Sequence, residues 1–302
     1  MDFVNVADLD HQGLIDVLEL AKQVKTDRAE VAGSRPGLRV GLFFEKPSTR
    51  TRVSCEVAAA DLGMVPLVLK QDEVGLGKRE SVEDVGRVLD RYLDVLAFRV
   101  FDHQNLVRMA AITDAPVINL LSDLEHPCQA LADLQTVAEH KPLQGATVAF
   151  VGDGNNVCNS LMIAGVMMGT NIRVASPAGN EPSDAMLAVA RGGATGGAEI
   201  TVTNDPAEAV AGADVIYTDV WASMGQEAEA AERRQRFQTF QVNAALFEQA
   251  ANDAIFMHCL PAHRGDEVTD DVADHARSRI FDQAENRLHA PKALMVKLMG
   301  RP

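Results

Sequence analysis

Leu38-Arg39-Val40-Gly41-Leu42-Phe43-Phe44-Glu45-Lys46-Pro47-Ser48-Thr49-Arg50-Thr51-Arg52 passes from a short apolar run into a turn rich in hydroxyls and arginines. A run of this length, bounded by turn residues, reads as a strand buried on both faces. The polar part reads as a helix start, with Pro47 and Ser48 in its first turn. The same alternation recurs along the chain. Apolar runs at 65–69, 95–100 and 117–121 form one series with the first, and runs at 147–151, 172–175, 200–202, 215–217 and 255–257 form a second. Between them, sets such as Leu14, Val17, Leu18, Ala21, Val24 and Val157, Leu161, Ala164, Met168 repeat at helical spacing. Ser81-Val82-Glu83-Asp84 resembles a capping box that opens a further helix. Strands alternating with helices and few tight hairpins predict an α/β chain of two doubly wound, parallel-sheet domains with helices on both faces. The break between the series lies near Glu139-His140-Lys141-Pro142-Leu143-Gln144-Gly145, which assigns 1–140 to one domain and 141–282 to the other.

Composition agrees and narrows the classes. A chain of 302 residues is long enough for two domains of ~100–200 residues each. Lys and Arg total 28 against 43 Asp and Glu, a net charge of −15, which argues against a nucleic-acid surface. A few buried arginines can still hold a small anion locally. With 47% apolar and 24% charged residues, the chain is neither disordered nor fibrous. No apolar run approaches the ~20 residues of a membrane span. The opening Met1-Asp2-Phe3-Val4-Asn5 lacks the basic and apolar segments of a secretion signal. Cys55, Cys128, Cys158 and Cys259 are far apart, without CxxC or metal-ligand spacing, so neither a disulfide framework nor a metal is expected, and a cytoplasmic location is.

In open α/β sheets ligands bind beyond the carboxyl ends of the strands, and five such places carry reactive residue types. Ser48 to Arg52 offer free backbone N–H groups, hydroxyls and guanidinium forks, an arrangement suited to phosphate; read alone, they also make an ordinary N-cap with solvated arginines. Glu125-His126-Pro127-Cys128-Gln129 follows the fourth run, with Pro127 fitting the first helical position. His126 and Gln129 are suitable donors to a polarised carbonyl oxygen, or else a cap and a packed surface residue. Arg99, ending the third run, is out of place unless it faces an anion. Gly152-Asp153-Gly154-Asn155-Asn156 partly mimics a dinucleotide fingerprint, but Val157 replaces its third glycine, which leaves a ligand-facing Asn or a capped tight turn. Asp219 and Ser223 can grip an ammonium group, although Asp219 equally fits a helix N-cap. Cys259 ends the last run, and Arg287, on a helical pattern reaching Met299, is a further candidate anion ligand.

Taken in order, Ser48-Thr49-Arg50-Thr51, His126-Pro127-Cys128-Gln129, Asp219 to Gly225 and His258-Cys259-Leu260-Pro261 resemble the aspartate/ornithine carbamoyltransferase family, and within it the branch that acts on ornithine. Aspartate-specific members typically carry Pro-Leu-Pro in place of Cys259-Leu260-Pro261, and Cys55 stands where the family usually has Phe. The resemblance implies a carbamoyl-phosphate domain completed by a C-terminal helix, about 283–302, that packs back on it, and a second domain for the amino acid. It implies carbamoyl transfer to the δ-amino group of L-ornithine, giving citrulline for arginine biosynthesis, with putrescine as the alternative amine and no cofactor. By similarity, Ser48, Thr49, Arg50, Thr51 and Arg99 hold carbamoyl phosphate. His126, Gln129 and Arg287 join Thr51 and Arg99 around its carbonyl. Asn156, Asp219, Ser223 and the Met224 backbone bind the amino-acid head, and Cys259 with the Leu260 carbonyl orients the δ-amine. The catalytic set implied is Arg50, Arg99, His126 and Cys259. The family also implies a homotrimer in which residues near 72–80 approach a neighbouring site.

Overall fold

The computed structural model describes residues 1–222 and 227–300. The chain divides into two compact units, Met1–Ala132 with Glu285–Pro302, and Asp133–Ala284. In the first, β1 (Arg39–Phe44), β2 (Val65–Lys70), β3 (Val95–Arg99) and β4 (Val117–Leu121) form a wholly parallel sheet in the order β2-β1-β3-β4. Successive residues of a strand point to opposite faces, and β4 and all but the first residue of β1 are buried throughout, so both faces of the sheet are covered. The edge strand β2 instead leaves Val65 and Leu67 exposed. On the other side, Phe3 extends the sheet by one bridge to Ile118.

The second unit repeats the plan with β5 (Thr147–Val151), β6 (Asn171–Ala175), β7 (Ile200–Thr203), β8 (Val215–Thr218) and β9 (Ile255–His258), parallel and ordered β7-β6-β5-β8-β9. All nine apolar runs of the sequence are strands. In each sheet the order reverses once: between β1 and β3 in the first, and between β5 and β8 in the second. At such a point the loops after adjacent strands diverge and leave a crevice at the carboxyl ends. The loops after β1 and β3 carry Ser48–Arg52 and Arg99; those after β5 and β8 carry Asn156 and Asp219.

The C-terminal helix, Ile280–Leu298, belongs to the first unit from Glu285 onward. Lys25 donates to Asn286 at 2.9 Å, Lys297 reaches Asp16 at 2.7 Å, and the fully buried Lys292 pairs with Asp61. Pro291 has no N–H to return to the carbonyl of Arg287 one turn earlier, which leaves that carbonyl without its helical donor. Among the described residues, no helix is long and apolar enough to cross a membrane.

The helix after β1, Thr49–Asp61, starts two residues later than the sequence predicts, with its first turn beyond both Pro47 and Ser48. Ser48 is its N-cap, with extended backbone (φ −153°, ψ 110°) and Oγ accepting from Thr51 N–H, so Pro47 lies outside the helix. It ends in a Schellman motif: Gly63 N–H donates to the Ala60 carbonyl at 3.0 Å and Met64 N–H to the Ala59 carbonyl at 2.9 Å, with Gly63 at φ 78°. A Cβ on Gly63 would meet Gly33 Cα at 3.1 Å. Gly63→Ala therefore adds left-handed strain and a backbone crowd. The expected outcome is a loss of about 1–2 kcal/mol, read as a lower midpoint in thermal melting followed by circular dichroism. An unchanged midpoint would contradict the left-handed cap.

Candidate active site

In the first unit, two of the residues singled out, Thr51 and Gln129, converge on the guanidinium of a third, Arg287. Arg287 is buried; it donates to Thr51 Oγ1 at 2.7 Å and to Gln129 Oε1. Thr51 Oγ1 also receives Ser48 Oγ at 3.1 Å. A helix start, a hydroxyl pair, an amide and an arginine from the far end of the chain are thus joined before any ligand arrives. Arg50 sits half-buried in the first turn of the same helix, beside the exposed Thr49. The turn borders a hollow of about 720 Å³ lined also by Lys70, Asp72 and Lys78, so part of the segment expected near a neighbouring subunit's site lies beside this chain's own Ser48 and Thr49.

Arg99 ends β3 at a register shift: Phe98 pairs with Asn119 but Arg99 with Leu121. A bulge of this kind re-aims the side chain at a strand end. The next loop, 122–126, is pinned from below. Asn119 Nδ2 donates to Ser122 Oγ at 3.2 Å, His103 Nδ1 meets the same oxygen at 2.8 Å, and the buried Glu125 carboxylate accepts Val6 N–H at 2.9 Å. His126 then caps the helix Pro127–His140, its carbonyl accepting Gln129 N–H at 2.9 Å. Burial holds His126 well below the usual histidine range, and the charges of Arg287 and Arg99 add to this, so its ring is a neutral donor. Cys55 and Cys128 are buried behind the site; burial pushes the Cys55 thiol up to about 11.

The second unit gathers a different chemistry. Asp219 is buried and, among the described residues, caps no helix. Its Oδ1 accepts the Cys259 thiol at 2.9 Å and its Oδ2 accepts Asn155 Nδ2 at 2.8 Å. Asn155, a residue the sequence reading passed over for Asn156, is the N-cap of the helix Asn156–Met167, taking Val157 and Cys158 N–H groups at 3.0 Å. Asn156 turns its own Oδ1 to Val157 N–H. The glycines of this loop have local reasons: Gly152 stands at φ 147°, and a Cβ on Gly154 would collide with the Pro182 nitrogen. Both are explained without a dinucleotide. Asp153 pairs with buried Arg233 at 2.5 Å, and Arg233 also donates to the Trp221 carbonyl. Ser223 and Met224 lie outside the described residues.

Beyond Cys259 the backbone is held in an uncommon shape. Leu260 has φ 60°, and its N–H donates to His258 Nδ1 at 2.8 Å. That bond places the imidazole proton on Nε2, which meets the buried Glu267 carboxylate at 3.0 Å. The pair fixes where Leu260 turns its carbonyl. Asp219, His258 and Cys259 are close enough to be read as metal donors, with ligand atoms within 4.8 Å of one another. Since the His258 lone pair already serves Leu260, the group offers two donors, fewer than zinc sites use.

Comparison with known proteins places this arrangement. Residues 1–139 match the family description "Aspartate/ornithine carbamoyltransferase, carbamoyl-P binding domain", and residues 144–298 match its "Asp/Orn binding domain". An ornithine carbamoyltransferase of Parasynechococcus marenigrum is 52% identical over 301 residues, covering 99% of this chain and 94% of that one. A catabolic ornithine carbamoyltransferase of Thermoplasma acidophilum is 47% identical over 301 residues, covering 99% and 98%. The solved ornithine carbamoyltransferase of Pyrococcus furiosus superposes with a TM-score of 0.94 at 48% identity, covering 98% of this chain and 96% of that one. Matched along nearly all its length by both halves of one family, the chain belongs to the aspartate/ornithine carbamoyltransferases.

Proposed function

We propose that the protein transfers the carbamoyl group of carbamoyl phosphate to the δ-amino group of L-ornithine, giving L-citrulline and phosphate. The observation that carries this reading is the part-buried bond between the Cys259 thiol and the Asp219 carboxylate. A thiol whose proton points at a carboxylate directs its sulfur lone pairs away from that carboxylate, the orientation needed to accept an N–H from an incoming amine. With the Leu260 carbonyl as a second acceptor, the nitrogen lone pair is left aimed at the electrophile. An alkyl amine of pKa ~10.4 is neutral in about one part per thousand at pH 7.5, so two neutral-seeking acceptors are of direct use. The relatives named as ornithine carbamoyltransferases support the same substrate. Asp219 and Asn156, with Ser223 and Met224, take the amino-acid head.

On the anion side, Ser48, Thr49, Arg50, Thr51 and Arg99 bind the phosphate. Thr51, Arg99 and His126 donate to the carbonyl oxygen, and Gln129 and Arg287 hold that cluster in place. The amine attacks the carbonyl carbon, negative charge gathers on its oxygen, and the bond to the phosphate oxygen then breaks. The departing phosphate, itself a base, takes the amine proton. Forward and reverse directions use the same groups. The same reading makes the protein a cytoplasmic homotrimer, which light scattering checks as three chain masses; its four free thiols fit a reducing compartment.

Ureido product from carbamoyl phosphate should form with L-ornithine and not with putrescine, L-aspartate or N-acetyl-L-ornithine. Turnover of putrescine instead would overturn the amino-acid half. Arg50→Ala should lower kcat/KM for carbamoyl phosphate by about 10²–10³, and retention of activity would remove Arg50 from the phosphate site. His126, neutral when folded, takes up its proton more readily unfolded, so its contribution to stability is whole above pH ~6.5 and is lost as pH falls below it. The thermal midpoint should drop between pH 7 and 5.5, and less steeply in His126→Asn. Burial lowers His103 and His289 in the same direction, so part of the slope persists in that variant.

A further inference from the structure

β9 is an edge strand, so the amides on its outer side need partners from beyond the sheet. The returning chain supplies them. Phe256 N–H donates to the Arg277 carbonyl at 3.1 Å, and Arg279 N–H to the Phe256 carbonyl at 2.8 Å. At His258, the last residue of β9, the partner is a side chain: His258 N–H donates to Gln283 Oε1 at 2.9 Å. Cys259 and Leu260 follow directly.

An amide side chain can present its oxygen or its nitrogen, and here its neighbours choose. Gln283 Nε2 donates to Asp133 Oδ1 at 2.7 Å and to Tyr217 Oη at 3.0 Å, while Tyr217 Oη donates to Asp133 Oδ2 at 3.1 Å. A carboxylate only accepts, so Asp133 obliges Gln283 to turn its nitrogen inward and its oxygen to His258. Tyr217 remains a donor, because burial and then the charge of Asp133 hold its phenol well above the ordinary range. Asp133, Tyr217 and Gln283 are all fully buried. Tyr217 stands two residues before Asp219 on β8, its ring stacked on Phe150 at 5.5 Å. One carboxylate therefore holds the end of β8 before Asp219 and, through Gln283, the end of β9 before Cys259.

A buried carboxylate is a costly filler where an apolar side chain of similar size would serve packing as well. We infer that Asp133, acting through Gln283 and Tyr217, is a positioning residue for the amine half of the reaction: it sets the strand ends at which Asp219 and Cys259 bond. Its kinetic readout rests on the ornithine reading above, and its chemical readout does not.

The test compares Asp133→Asn with the double variant Asp133→Asn/Gln283→Glu. In the double variant the amide introduced at position 133 donates to the carboxylate introduced at position 283, which still accepts His258 N–H, at unchanged net charge. The single variant should lose about tenfold in kcat/KM for L-ornithine, while the Kd of carbamoyl phosphate, measured by calorimetry without amine, stays unchanged. Iodoacetamide labelling of Cys259, followed by peptide mass, should accelerate several-fold as the thiol leaves Asp219. The double variant should recover most of both. Unchanged labelling in the single variant, an equal loss of carbamoyl-phosphate affinity, or no recovery in the double overturns the assignment. Should the wild type prove inactive with ornithine while the labelling pattern holds, the substrate reading fails and the positioning role stands. If Asp133→Asn does not fold, Tyr217→Phe removes one donor without adding charge and gives the same two readouts; no change in either then counts against the proposal.

Discussion

When a parallel sheet adds strands first on one side and then on the other, the two loops leaving adjacent strand ends at the reversal must part, and no side chain from the next crossover fills the gap. This constraint organises both units. Between β1 and β3 it leaves room for an anion at a helix start; between β5 and β8 it brings one residue from each of two loops, Asn155 and Asp219, within bonding distance. The two sheets share a geometry and differ in what their loops offer: guanidinium and hydroxyl donors in one, carboxylate, thiol and carbonyl acceptors in the other.

Charge follows the same division. A chain of net charge −15 still assembles Arg50, Arg99 and Arg287 near one helix start, because binding depends on charge within a few ångströms and hardly on the total. Burial first, and then the charges of Arg287 and Arg99, keep His126 neutral. In the amine unit, Asp219 is satisfied by donors of modest strength, Asn155 and the Cys259 thiol, and keeps lone pairs for a cationic head group.

The strands were legible because residues buried on both faces read as unbroken apolar runs, and the motifs because they sit where those runs end. Arg287 was visible as a residue type on a helical pattern, but its role needs Thr51 and Gln129, which lie far from it in sequence. Asn155 was overlooked because adjacent asparagines look alike in a sequence; only the cap geometry decides which one faces Asp219. The signal available was the turn Gly152-Asp153-Gly154, which fixes Asn155 as the residue before the helix. His258 ends β9 and Glu267 lies nine positions on, in the irregular chain that follows, so no period that a sequence could reveal links them. Asp133 lies on a helix whose apolar neighbours give no hint that a carboxylate among them faces a tyrosine and a glutamine.

The attachment of Arg287 to the last helix has a consequence for the order in which the protein comes into being. All four strands of the first unit, Ser48, Thr51 and Gln129 are synthesised before the second unit begins, yet the guanidinium that joins Thr51 to Gln129 belongs to residue 287 and is made only after the whole second unit. A nascent or truncated chain can complete its first sheet without possessing a finished anion site. Completion of the anion cluster thus waits on translation of the second unit, and a copy terminated within that unit lacks the bridge that holds Thr51 to Gln129.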